Sequence, residues 1–382
     1  MKKRDEAMAL WADFTDGRVD RRAFVLQALG LGVSASTLGA VLQACGGGAS
    51  APEGSVAGPA SAVEPPIAGE LRIYNWSDYI AEDTVPAFEK ETGVKVIYDM
   101  YESNEELLAK LQIGGGGYDL VVPTGYIVEV LAAQSLLAPL NKAWLKNFGN
   151  VAASFQNPAF DTGNKFSIPW QWGTTGIAWR TDKLAAAPDS WAVFHDAQFK
   201  GKMTQMDDSR DVIGSWLKFR GKSLNSTSAE ELAAAKADAM AAKALLKAYL
   251  SAPVKGQLVS GDVWIAQLWN GDTMQAKAEQ PAIGYAVPKE GAGIWLDSLV
   301  IPRDAPNARA AHAFMDFILR PDVGAALSTF TGYGTPNQAA MAVMTDAVPY
   351  PTAEELGRLE YQKDLGAATA LWDQIWTEIK AG

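Results

Sequence analysis

The fold class this sequence predicts is α/β, a parallel sheet with helices packed on both faces, and three observations carry it. From residue 70 onward, short runs rich in β-branched and aromatic residues alternate with amphipathic stretches of helical period. Ser/Thr-x-x-Glu patterns stand where helices should begin. At 382 residues the chain is too long for one ordinary core, so two domains are expected.

Residues 71–74 read as a first strand. Residues 82–92 read as a helix with Val85 and Phe88 on one face and Gly93 as its stop. Residues 94–98 form a second strand, and Ser103-Asn104-Glu105-Glu106 starts a helix carrying Leu107, Leu108 and Leu111. The glycine run 114–117 ends that helix, and residues 119–123 form a third strand. This run lacks the Gly-Lys-Ser/Thr of a phosphate loop and precedes a strand instead of following one, so it reads as a turn. Capping patterns at Ser228 and Thr352 start later helices. Residues 311–319 place Ala311, Phe314, Met315 and Ile318 on one helical face, and Pro321 limits continuation. In open α/β sheets, ligands bind beyond the carboxyl ends of the strands. That rule puts residues 76–79, after the first strand, and 124–126, after the third, on one rim.

Composition excludes some functions. The formal net charge is −11, and no Lys/Arg run of useful length follows residue 22, which argues against nucleic acid. One cysteine rules out an internal disulfide. The two histidines, His195 and His312, leave little for a histidine metal site or general base and read as ordinary surface or helix residues. Thirteen tryptophans is a high count, so some are expected to line a cleft while most pack the core.

The N-terminus reads as an export signal over residues 1–44. Arg21-Arg22 introduces an uncharged, small-residue run, which resembles a twin-arginine signal. Leu42-Gln43-Ala44-Cys45 resembles a bacterial lipobox, in which Cys45 becomes a lipid-modified N-terminus. Residues 45–69 are rich in Gly, Ala, Pro and Ser and cannot bury enough surface to fold, so they read as a flexible tether.

Aromatic residues and carboxylates recur together at distant points: Trp76-Ser77-Asp78-Tyr79, Asp207-Asp208-Ser209-Arg210-Asp211 and Trp295-Leu296-Asp297. An aromatic face attracts a cation and a carboxylate neutralises one, so such a set suits an organic cation with an apolar stem. With Tyr118–Pro123, Trp269-Asn270-Gly271, Pro288-Lys289-Glu290-Gly291, Gly332-Tyr333-Gly334-Thr335-Pro336-Asn337 and Gln362-Lys363-Asp364-Leu365-Gly366, these motifs resemble, in order, the substrate-binding proteins of bacterial spermidine/putrescine ABC transporters.

The resemblance implies a two-lobed fold of the type II periplasmic-binding-protein kind, with mixed α/β lobes joined by hinge crossovers. Lobe 1 would be 70–174 plus 297–342, and lobe 2 would be 175–296 plus 343–382. Position by position, it implies an aromatic box of Trp76, Tyr79, Tyr126, Trp269, Trp295 and Tyr333. Asp208, Asp211 and Asp297 would hold ammonium groups, and Asp78 and Thr124 would contact the other end of the polyamine. Gln362 would face the central amine of spermidine, which tilts the expected ligand toward spermidine over putrescine. Ser77 belongs to the same rim, where a helix-cap role explains it equally well. Some members carry Glu where this chain has Asp78 and Asp211, which shortens the reach at each.

The implied protein is an exported, monomeric receptor, lipid-anchored at Cys45 in the periplasm or on the outer face of the cytoplasmic membrane. It would hand its ligand to permease subunits, with no catalytic residues, cofactor or metal. Two alternatives stay open: a receptor of the same fold for ferric iron or another small organic cation, and an extracellular carbohydrate-active enzyme. The second needs a carboxyl group of raised pKa, for which the sequence offers no obvious partner.

Overall fold

A computed structural model of the chain describes residues 66–382 apart from 252, 346, 347 and 349. The export signal, Cys45 and nearly all of the tether lie outside the described residues. The first strand, β1 (Glu70–Trp76), buries Leu71 and Ile73 on one face of the sheet. Helix α1 (Thr84–Thr92) follows and stops at Gly93, whose φ of 72° lies in the left-handed region that glycine enters without strain. Next come β2 (Lys95–Tyr101) and α2 (Asn104–Gln112), the latter capped by Ser103 accepting from the Glu106 amide. Then β3 (Leu120–Val121) leads into α3 (Gly125–Ala133). Strands β2 and β3 both pair parallel to β1, as the βαβαβ pattern predicts. The third strand is shorter than its apolar run, and the buried Val122 beyond it turns its carbonyl to the side chains of Trp76 and Tyr101.

The long β4 (Ser167–Arg180) is followed by β5 (Met203–Gln205), α4 (Ser209–Phe219), α5 (Ala229–Lys243), β6 (Ala248–Tyr249), α6 (Val254–Ser260), β7 (Ile265–Trp269), α7 (Asn270–Glu279) and β8 (Ile283–Ala286). After β9 (Gly293–Val300) come α8 (Ala308–Ile318), α9 (Pro321–Thr331), α10 (Gln338–Met341), α11 (Ala353–Leu356), β10 (Glu360–Tyr361) and α12 (Thr369–Ala381). Pro321 ends α8 as read, and it also opens α9, where its missing N–H costs nothing. Thr352 and Glu355 complete a reciprocal capping box on α11.

The sheet order is β2-β1-β3-β9-β4-β7-β5-β6, with β10 added beside β9 and β8 beside β4. It is mixed and not wholly parallel, because β9 runs antiparallel to β3 and β4, and β4 antiparallel to β7 and β8. Strand β4 connects the two halves of the sheet. Its residues up to Thr174 pair with β9, and from Thr175 onward they pair with β7 and β8.

Separate apolar clusters lie along the two halves. Leu71, Ile73, Phe88, Leu120, Phe314 and Met315 pack together on one side. Trp191, Trp216, Leu232, Trp372 and Ile379 pack on the other. The fold is thus a two-lobed α/β arrangement. His312 is buried, a correction to any surface reading. Its Nε2 accepts from the Asn141 amide at 2.9 Å, and burial lowers its pKa.

Candidate functional site

The strand ends converge on a single cleft between aromatic and acidic side chains. Trp76, Ser77, Asp78, Tyr79, Thr124, Asp208, Asp211, Trp269, Trp295, Asp297, Tyr333 and Gln362 all line it. Residues separated by almost three hundred positions therefore meet: some follow strand ends, Asp208 and Asp211 stand at a helix start, and Trp295 and Asp297 lie within β9.

The apolar part is a set of rings. Trp76, the last residue of β1, donates its indole N–H to the Val122 carbonyl at 2.9 Å and faces Trp269 with ring centroids 6.2 Å apart. Tyr333 stands edge-on to Tyr79 at 5.2 Å and to Trp295 at 5.1 Å. Gly173 on β4 makes room for one of these rings. A Cβ there would lie 2.6 Å from the Trp295 indole, closer than side-chain atoms approach.

The carboxylates differ sharply in their surroundings. Trp295 and Asp297 are two apart on β9, so the strand presents both on one face. Asp297 is buried and forms a bridge pair with Thr124, yet its Oδ1 has no hydrogen-bond partner among the described residues. Burial pushes its pKa up to about 7, with the hydroxyls of Thr124 and Tyr79 pulling the other way.

Asp208 caps α4 by accepting from the Asp211 amide at 2.9 Å. Asp211 accepts from Thr175 Oγ1 at 2.8 Å, Trp269 Nε1 at 3.2 Å and Gln362 Nε2 at 3.4 Å. Only neutral donors reach it, so burial and the nearby Asp208 raise its pKa to about 7, and burial raises Asp208 as well. Carboxyl groups of raised pKa are thus present, contrary to the sequence expectation, and their cause is desolvation.

Ser77 does not cap a helix; its Oγ donates to Glu102 Oε1 at 2.6 Å. Tyr126 is buried but is not among the cleft-lining residues. Its ring lies 4.8 Å from the Arg210 guanidinium, which also contacts the Trp372 ring at 5.1 Å. Tyr126 thus stands behind the lining, next to Asn104 and Arg210.

Four lining residues escaped sequence reasoning: Glu102, Asn104, Lys255 and Asp272. Asn104 Nδ2 donates to Thr124 Oγ1 at 3.0 Å and holds it in place. Asp272 was within reach, since it extends the Trp269-Asn270-Gly271 motif into the first turn of α7. Lys255, on α6, carried no signal. Its Nζ lies 2.7 Å from Asp78 Oδ2, 3.0 Å from Gln275 Oε1 and 3.1 Å from Asp272 Oδ1. Burial pulls the Lys255 pKa down, but Asp272 and Asp78 more than offset it and leave the ammonium above its ordinary range. Asp78 adopts a φ of 53°, a left-handed conformation uncommon outside glycine, as its loop crosses to α6.

A family profile described as bacterial extracellular solute-binding protein matches residues 83–354. The chain belongs to that family. It is 36% identical over 319 residues to a spermidine/putrescine-binding periplasmic protein of Escherichia coli, covering 82% of this chain and 92% of the relative. It is 35% identical over 340 residues to a putrescine/cadaverine-binding protein of Pseudomonas aeruginosa, covering 84% and 96%. Among solved structures, a spermidine/putrescine ABC transporter substrate-binding protein from Streptococcus pneumoniae superimposes with a TM-score of 0.70 at 31% identity, covering 82% and 99%. No helix among the described residues is long and apolar enough to cross a membrane.

Proposed function

We propose that this solute-binding protein is an extracytoplasmic polyamine receptor that delivers spermidine or putrescine to ABC permease subunits by closing two lobes around the ligand. One observation carries the reading: a buried carboxylate, Asp297, with an unpartnered oxygen beside the rings of Trp295, Tyr79 and Tyr333. An organic cation meets both needs at once. Its ammonium supplies the missing donor and charge, and its methylenes cover the rings at roughly 0.8 kcal/mol per CH₂.

In this reading Asp297, Asp208 and Asp211 hold ammonium groups while Trp76, Tyr79, Trp269, Trp295 and Tyr333 enclose the stem. Ser77 and Asp78 border the part of the cleft nearest Lys255, and Thr124 stands beside Asp297. Gln362, with its amide N–H directed to Asp211, turns its oxygen toward a secondary amine. Tyr126 supports the site through Arg210 instead of touching ligand. The lobe boundary at 174/175 is supported by the change of strand partners along β4 after Thr174. Contacts from both lobes would favour the closed state.

Cys45 would anchor the mature protein to a membrane through its lipid, with residues 45–69 as the tether. No step in this role is chemical, so catalysis is not part of it. A thermal-shift series across putrescine, cadaverine, spermidine and spermine tests the reading. A rise in melting temperature with at least one polyamine is expected. No rise with any of them, alongside a rise with a sugar or an amino acid, would refute it.

A further inference from the structure

Lys255 is the one basic residue among the described residues that line the cleft. An ammonium has three N–H donors, and here three acceptors surround it: Asp78, Gln275 and Asp272. The side chain is only 17% exposed, so the charge is held in place and is not a solvated surface group. Asp272 uses its other oxygen to accept from Tyr333 Oη at 2.8 Å, and Tyr333 is part of the ring set. The lysine ammonium therefore sits one side chain beyond the aromatic stem site, in the surroundings a ligand's own terminal ammonium would need.

We propose that Lys255 is a specificity-determining residue whose ammonium fills the cation position between Asp78 and Asp272 and so limits the length of polyamine the cleft accepts. The inference rests on the polyamine reading of the same site. Elsewhere in the cleft, Asp297, Asp208 and Asp211 have no cationic side chain bonded to them among the described residues, so that is where a ligand's charges are received. A cation long enough to extend past Tyr333 meets a like charge in a partly buried setting, where repulsion is much stronger than in water. Selectivity then comes from a repulsive element as much as from attractive contacts.

Removing the lysine charge opens two carboxylates to a third or fourth ammonium. Calorimetric titration of wild type, Lys255→Met, Lys255→Gln and Lys255→Arg with putrescine, spermidine and spermine reads this directly. In the Met and Gln variants, the affinity ratio of spermine to putrescine is expected to rise on the order of tenfold or more, while Arg keeps the wild-type ratio. Equal weakening of every polyamine in both neutral variants, with the ratio unchanged, would overturn the proposal. It would leave Lys255 as a strap between the Asp78 loop and α6, with polyamine binding intact. Absence of binding to wild type by all three polyamines would overturn the underlying reading and this inference with it.

Discussion

The two sets of carboxylates in the cleft are alike in residue type and opposite in charge balance. Asp78 and Asp272 share the Lys255 ammonium, at 2.7 and 3.1 Å, and are neutralised within the protein. Asp297, Asp208 and Asp211 receive hydrogen bonds from neutral donors alone, so desolvation disfavours their charged forms and their pKa values rise. Counting carboxylates in a pocket thus says little about where a cation goes. What matters is whether a carboxylate's charge is already compensated.

Breaking the uncompensated set should have the largest effect. Asp297→Asn keeps the shape of the side chain and removes its charge, and polyamine affinity should fall by roughly 2–5 kcal/mol in calorimetry. An Asp78→Asn variant provides the contrast, with a smaller loss because its charge is directed to Lys255. Trp295→Ala should follow, at about 2 kcal/mol or more, since a buried aromatic anchor and its enclosed surface are lost together.

Changing pH sharpens the same contrast. Carboxyl groups with pKa near 7 must ionise to hold an ammonium, so affinity should rise with pH up to about 7 and level off above it. Below that point the slope is about tenfold per pH unit for each coupled group. Stability of the ligand-free protein moves the other way. A carboxyl whose folded pKa is raised contributes stability below its unfolded value near 4 and loses it as pH rises through about 7. The melting-temperature gain from ligand should therefore be larger at pH 8 than at pH 5, and an Asp297→Asn variant should lose part of that difference. The smallest effect is expected from Trp269→Phe. It keeps a ring but removes the 3.2 Å bond to Asp211, costing about 1 kcal/mol of affinity.

The parallel β1-β2-β3 half of the fold was legible because its strands and helices alternate locally, with Gly93 and Ser103 marking ends and starts. The mixed half was not, since the pairing of β4 with β9 and then with β7 joins segments far apart in sequence and leaves no local pattern. Within the site, aromatic–acid neighbours such as Trp295 and Asp297 were readable because a strand places alternate residues on one face. Tyr126 misled for the complementary reason. It follows Thr124 by two positions but lies in α3, where a two-residue step does not keep side chains on one face. Lys255 left no trace because its partner Asp78 is 177 positions distant and only folding brings them together.

On the proposed reading, uncompensated buried carboxylates receive the ligand's ammonium groups. This is tested most directly by titrating wild-type protein with spermidine and putrescine at pH 7 in buffers of different ionisation enthalpy. Proton exchange on binding is then read from the dependence of heat on buffer. The account predicts binding with net release of protons as Asp297 and Asp211 ionise against the ligand, and a smaller release in Asp297→Asn. Binding with no proton release, or with uptake, would contradict it.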